Sequence, residues 1–201
     1  MSETEKNGGG MRVLIVEDDT LVGMGLRGRL LKLGHSVVGQ AADAAEARQM
    51  FRAHEPQLVL LDIRLGQDDG IELAADLLRI RRCPMIIVSA FAEKELIERA
   101  TDAGVFGYLT KPVDERTLAA QIEVASGRFK EAESLRAESA KLAHDLKTRK
   151  VMDRAKGILM KRAHLTEEEA HRRLQIESQK RRIGMAELCQ KIIESDEMLG
   201  T

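Results

Sequence analysis

Over the first half of the chain, apolar residues fall in short runs that stop at a polar or acidic residue. Val13-Leu14-Ile15-Val16, Leu58-Val59-Leu60-Leu61 and Met85-Ile86-Ile87-Val88 are continuous rather than alternating and too short for helices. That is the pattern of strands buried on both faces. Together with two less apolar stretches they predict five strands, Arg12–Val16, Ser36–Gln40, Gln57–Leu61, Met85–Ser89 and Phe106–Thr110. Helical spacing fills the intervals near 20–33, 43–54, 70–80 and 93–103, and another helix starts near Asp114. Five β/α units of this spacing imply a parallel sheet covered by helices on both faces.

Right-handed crossovers make a flavodoxin-like, doubly wound five-stranded parallel sheet the natural closure. Beyond it the period changes. From Asp114 to about Lys147 there is no proline and the one glycine is Gly127. Leu118, Ala125, Ala132, Ser139 and Leu146 recur every seven residues; Ile122 and Phe129 widen the stripe first, then Leu135 and Leu142 take over on its other side. This is a heptad with a shifted seam. It predicts a coiled-coil helix that pairs with a second chain, the alternative being a helix packed back on its own domain. Three further helices follow, near 149–163, from Thr166 to about Arg182, and from after Gly184 to about Ser195. Thr166-Glu-Glu-Glu169 is a capping box for the second. Their apolar stripes suffice for a small three-helix bundle. The organisation is thus a flexible tail over 1–10, an α/β domain over 11–125, a coiled-coil linker helix over 126–147, a helical module over 148–196 and a tail over 197–201.

Composition narrows the class. In 201 residues there is no apolar run near the roughly 20 needed to span a membrane, and no secretory h-region follows Met1. Cys83 and Cys189 stand far apart without metal-ligand spacing, which fits a reducing cytoplasm. The net charge of −1 conceals a segregation. Residues 147–182 carry 12 Lys/Arg against 5 Asp/Glu, whereas 183–201 carry 1 against 4. A basic block on an otherwise acidic chain points to a polyanion site.

The strand ends carry the candidate chemistry. Glu17-Asp18-Asp19 follows the first strand and Asp62 the third. Clustered carboxylates repel unless a cation joins them, and Mg²⁺, a hard oxygen-seeking ion, fits best. Asp19 or Thr20 can cap the next helix at the same time. Gly23, Gly25 and Gly28 match G-x-G-x-x-G, but they begin six residues after the strand, behind three acids, so a dinucleotide loop is rejected. Ser89-Ala90 after the fourth strand and Lys111-Pro112 after the fifth complete an ordered set at four strand ends. In this the chain resembles the receiver domains of two-component response regulators over about residues 11–125. The resemblance implies that Asp62 is the phosphoacceptor, taking a phosphoryl group from the phosphohistidine of a sensor histidine kinase. It further implies Mg²⁺ held by Glu17 (through water), Asp18, Asp62 and the backbone carbonyl of Arg64, and phosphate contacts or switching by Ser89, Tyr108 and Lys111, with a cis Lys111-Pro112 bond. Such a protein is not an enzyme beyond its own phosphotransfer and dephosphorylation. One departure concerns phosphate lifetime: Gly66 stands where receivers usually carry proline, in a loop to which Asp68 and Asp69 add negative charge.

Basic residues of the helical module fall in register. Arg154 and Lys161 are seven apart, as are Arg173 and Lys180, and Lys180-Arg181-Arg182 closes the second helix. Such a surface suits a phosphate backbone. No Phe, Tyr or Trp follows Phe129, which excludes base stacking on aromatics. Arg154-Ala155-Lys156-Gly157-Ile158-Leu159-Met160, followed by Thr166, Glu169, Ala170, Leu174 and Ser178, resembles the ANTAR domain, an RNA-binding module of transcription antiterminators. Ala155, Ala170, Leu174 and Ser178 are assigned mainly to packing, and Arg154, Lys156, Lys161, Arg173, Lys180, Arg181 and Arg182 to RNA. The resemblance implies binding to paired hairpins in nascent mRNA leaders, which prevents terminator formation; the small Ala and Ser residues of the coil seam suit a regulated, phosphorylation-dependent homodimer rather than a permanent one. Two alternatives remain. One is a DNA-binding regulator, although 186–195 offers only Gln190 and Lys191 to read bases. The other is an interaction adaptor acting through the coil.

Overall fold

The structure, a computed structural model, describes residues 10–199. Nine residues of the expected N-terminal tail and residues 200 and 201 lie outside these. The chain divides into two compact units within one helix, between Glu133 and Ser134.

In the first unit, β1 (Arg12–Val16), β2 (Ser36–Ala41), β3 (Leu58–Leu61), β6 (Met85–Ser89) and β7 (Gly107–Thr110) form one sheet in the order β2-β1-β3-β6-β7. All four pairings are parallel. Between them run α1 (Thr20–Lys32), α2 (Ala44–His54), α3 (Gly70–Ile80) and α4 (Lys94–Asp102), and α5 (Glu115–Ala163) follows β7. The uninterrupted apolar runs have a simple explanation, since alternate residues feed two cores. Leu14, Val16, Val59, Leu61, Met85 and Ile87 join Phe51, Leu73 and Leu77 on one face. Val13, Ile15, Leu58, Leu60, Ile86 and Val88 join Leu26, Leu30, Leu118 and Ile122 on the other. The order reverses beside β1, so the carboxyl ends of β1 and β3 open the crevice where α/β sheets bind ligands.

One element is additional to the expected set. Between β3 and α3 the chain makes a two-stranded hairpin, β4 (Arg64–Leu65) with β5 (Asp68–Asp69). Gly66, with φ at +62°, is the first of its two turn residues, and Gln67 is not left-handed. That is the pattern of a type II′ turn, which wants glycine at its first central position. The position without proline therefore serves a defined turn.

A second correction concerns α5. A break near residue 148 was expected, but α5 runs unbroken from Glu115 to Ala163. Neither proline nor glycine occurs between Gly127 and Gly157 to stop it. In the second unit, the later part of α5 packs with α6 (Glu167–Arg181) and α7 (Met185–Leu199). Their core is Ala155, Leu174, Leu188, Cys189 and Ile193, and Ala170 is fully buried as well. The capping box at Thr166 and Glu169 is formed. Arg182 is left-handed (φ +54°), and the Ser178 hydroxyl donates to the Ile183 carbonyl at 2.7 Å, closing the α6–α7 turn. α7 reaches past the expected Ser195 and takes residues 197–199 out of the predicted tail.

Candidate functional site

Parallel pairing brings the strand ends together. The Asp62 amide donates to the Val16 carbonyl at 2.9 Å, the Glu17 amide to Ala41 at 2.9 Å and the Lys111 amide to Ser89 at 2.8 Å. These bonds hold Glu17 and Asp18 after β1, Asp62 after β3, Ser89 at the end of β6 and Lys111 after β7. Glu17, Asp62 and Ser89 are buried, Lys111 is half-buried and Asp18 is exposed. The α3 helix begins hard against this edge. The Gly70 amide donates to the Ile63 carbonyl at 2.6 Å, and a Cβ on Gly70 would lie 1.9 Å from the Asp62 carbonyl oxygen. Only glycine lets the helix start there without moving Asp62.

Within the pocket, Lys111 Nζ lies 2.5 Å from Asp62 Oδ2 and 2.7 Å from Glu17 Oε2. One oxygen from each of Glu17, Asp18 and Asp62 falls within 4.8 Å of the others. A single ammonium thus faces three carboxylates. Burial, with repulsion from Asp62 added, outweighs the pull of Lys111 and raises the pKa of Glu17 above its ordinary value. Burial alone would lower Lys111, but its hydrogen bonds to Asp62 and Glu17 prevail and raise it. The donors are all hard oxygens and the cluster is short of positive charge, so these residues fit a small divalent cation of the Mg²⁺ type.

Two hydrogen bonds connect the hairpin to this cluster. The Gly66 amide donates to Asp18 Oδ2 at 3.1 Å, and the Arg64 amide donates to Asp62 Oδ1 at 3.3 Å. Asp19 is free for capping, as expected, and accepts from Leu21 and Val22 at the start of α1. The two acids that were to add charge near the acceptor are engaged elsewhere. Asp68 Oδ2 accepts from the Ala44 amide of α2 at 3.2 Å. Asp69 caps α3 and pairs with Arg99 of α4 at 2.7 Å. Burial would raise Asp69, yet the Arg99 bond and the helix amides outweigh it and keep its pKa low.

Ser89 and Tyr108 meet through a residue that no sequence motif marks. The Phe91 amide donates to Ser89 Oγ at 3.3 Å, and Tyr108 Oη donates to the Phe91 carbonyl at 2.5 Å. The Arg64 guanidinium lies 4.0 Å over the Phe91 ring. The Lys111-Pro112 bond is cis.

In the second unit, the seven predicted basic residues are not equivalent. Lys161, Arg173 and Lys180 are exposed and make no ion pair among the described residues. Arg154 pairs with Glu197 at 2.7 Å and Arg181 with Glu177 at 2.6 Å. Lys156 is held by Asp153 at 2.9 Å and Glu167 at 2.7 Å, with its side chain 16 % exposed. Arg182 forms the left-handed cap of α6. The gap between sequence and structure here is the local supply of carboxylates: spacing shows where a cation sits on a helix but not which acid the next helix brings to it.

Known proteins match both units. The family model for the response regulator receiver domain covers residues 13–123, and that for the ANTAR domain covers 140–193. The chain is 38% identical over 190 residues to the transcriptional regulatory protein PdtaR of Mycobacterium tuberculosis, covering 94% of this chain and 91% of that one. Among solved structures it resembles the receiver domain of a modulated diguanylate cyclase from Desulfovibrio desulfuricans G20, with 37% identity, a TM-score of 0.57 and coverage of 61% of this chain and 98% of that one. It also resembles the receiver domain of the response regulator NarL from Mycobacterium tuberculosis, with 30% identity, a TM-score of 0.54 and coverage of 59% and 98%. The acidic strand-end pocket lies within the receiver match and the three-helix core within the ANTAR match, and the chain belongs to the response regulators that join a receiver domain to an ANTAR domain.

Proposed function

We propose that the protein is a phosphorylation-activated RNA-binding antiterminator. The observation that carries this is the Asp62 carboxylate, held 2.5 Å from Lys111 in a pocket of three acids, on the same chain as a basic ANTAR module. Asp62 attacks the phosphorus of a kinase phosphohistidine; the P–N bond breaks, its electron pair leaves with the imidazole, and an acyl phosphate forms. Lys111 then faces the new phosphoryl oxygens as a charge-assisted partner. Asp18, Asp62 and the Arg64 carbonyl, with Glu17 through water, would hold Mg²⁺. When bound, the ion offsets the negative charge that collects on the transferring oxygens. The chain turns over no other substrate.

The change is read through Phe91. A phosphoryl group that accepts from the Ser89 hydroxyl pulls on the same oxygen to which the Phe91 amide now donates, and Tyr108 is tied to Phe91 as well. Phosphorylation thereby biases the loop after β6, and two chains pair. Leu135, Leu142 and Leu146, each exposed, supply the apolar seam. Pairing places two basic modules on tandem hairpins of an mRNA leader, where the second contact gains from the effective concentration set by the first. Work at nascent mRNA, with a kinase phosphohistidine as donor, places the protein in the cytoplasm. No helix among the described residues is long and apolar enough to cross a membrane.

Crosslinking of phosphorylated protein to RNA, followed by sequencing, tests the reading. Enrichment of paired hairpins in leader transcripts is the expected outcome. Recovery of duplex DNA in preference to RNA would favour the DNA-binding alternative, and recovery of neither would favour an adaptor.

A further inference from the structure

The last two turns of α7 carry Glu194, Asp196 and Glu197, and no basic residue lies in its last turn. Carboxylates at a helix C-terminus oppose the macrodipole, so these acids do nothing for α7 itself. Two of them are spent on α5. Glu197 Oε1 accepts from Arg154 at 2.7 Å, and Asp196 pairs with Arg162 through Nε and accepts a second bond from Arg162 at its backbone carbonyl, 3.5 Å away. Arg154 and Arg162 lie two turns apart along α5, and the guanidinium fork that binds a carboxylate also binds a phosphodiester. All four side chains are partly exposed, with 61% and 57% of the Arg154 and Glu197 side chains accessible and 48% and 32% of Arg162 and Asp196. Exposed pairs of this kind add little to stability and are readily exchanged for another anion.

We infer that Arg154 and Arg162 form a phosphodiester-binding pair, and that the acidic end of α7 occupies it as an intramolecular competitor, with Asp196 and Glu197 standing where two backbone phosphates bind. Arg162 lies outside the seven-residue spacing that selects Arg154 and Lys161, and enters here only because a carboxylate is seated on it. The inference rests on the RNA-binding reading for the identity of the ligand, but not for the competition itself. Binding of a polyanion releases the α7 end, and loss of the two carboxylates makes the module a tighter binder without any change in the receiver.

The test uses the full chain and two probes, a tandem-hairpin leader RNA and heparin, with wild type, D196N/E197Q, R154A/R162A and the combination of all four. Circular dichroism melts establish that each variant is folded, and E197Q alone serves if the double variant is not. The inference expects D196N/E197Q to bind both probes about three- to tenfold more tightly at low salt, the gain shrinking as salt rises. It also expects R154A/R162A to weaken binding and to abolish the effect of D196N/E197Q. A gain with heparin but not with RNA sustains the competitor and refutes the RNA reading. Folded D196N/E197Q or E197Q binding both probes no better than wild type overturns the inference, as does a gain that persists in the R154A/R162A background.

Discussion

Two stretches of α5 carry one heptad and meet opposite fates. Leu118, Ile122 and Ala125 are 0%, 4% and 0% exposed, sealed into the core beneath the sheet. Phe129 continues that contact edge-on against Phe106, with ring centroids 5.3 Å apart, and Arg82 closes it by pairing with Glu133. Beyond Ser134, Leu135, Leu142 and Leu146 are 61%, 57% and 61% exposed. A seven-residue repeat announces an apolar face and is silent about what covers it. For the early segment the reading of a helix packed on its own domain is right. The later one leaves its apolar face exposed, as the proposed pairing of two chains requires. The same contrast runs through the charges: Lys111 is enclosed with two carboxylates, whereas Arg154 and Glu197 face solvent across their bond.

The largest effect should separate the two apolar segments. Leu118→Asp buries a charge with no partner and should destabilise the first unit by about 4 kcal/mol or more, seen as loss of its cooperative thermal melt. Leu142→Asp, on the exposed face, should leave the melt within about 0.5 kcal/mol of wild type while abolishing phosphorylation-dependent pairing in sedimentation. Unchanged pairing would move the dimer contact off this seam.

The enclosed and open ion pairs should differ next. Lys111→Ala leaves Glu17 and Asp62 without their cation and should cost about 1–3 kcal/mol at neutral pH; Arg154→Ala should cost less than about 0.5 kcal/mol. Glu17 is already raised above its unfolded value, so the native state binds its proton more tightly, and stability contributed by that proton grows as pH falls through the folded pKa. The deficit of Lys111→Ala should therefore narrow on acidification, as followed by denaturant melts across the acidic range. A deficit that widens would show that Glu17 is not the group left uncompensated.

The smallest effect concerns Asp69. Its depressed pKa supplies stability that is present above the unfolded value of 3.8 and is lost as pH falls through the folded one. Arg99→Gln should raise the Asp69 pKa toward its ordinary value, visible by carbon-detected NMR titration, and should remove part of that acid-labile stability. An unmoved Asp69 would assign its low pKa to the α3 amides alone.

The core of the site was legible in the sequence because its chemistry sits at strand ends, where an apolar run stops. Glu17, Asp18, Asp62, Ser89 and Lys111 follow from four such stops, and parallel pairing does the rest. The hairpin at Arg64–Asp69 was not legible: two-residue strands carry no period, and Gly66 reads as a missing proline until its positive φ is seen. Phe91 acts through backbone atoms, which have no sequence signature. Gly70 reads as an ordinary helix start, although its lack of a Cβ is what lets α3 approach Asp62. The break expected near residue 148 has no residue behind it that stops a helix, since neither proline nor glycine occurs between Gly127 and Gly157. Lys156 reads in the sequence as one of the basic residues for RNA, and only the fold shows it held between Asp153 and Glu167.

The central claim, that the state of Asp62 governs the basic module, is most directly tested by titrating a tandem-hairpin leader RNA against wild type and Asp62→Asn. Each is measured with and without a small-molecule phosphoryl donor and Mg²⁺. The account predicts that the donor tightens binding by wild type and leaves Asp62→Asn at the unphosphorylated affinity. An equal gain in both proteins, or none in wild type shown to carry the acyl phosphate, would contradict it.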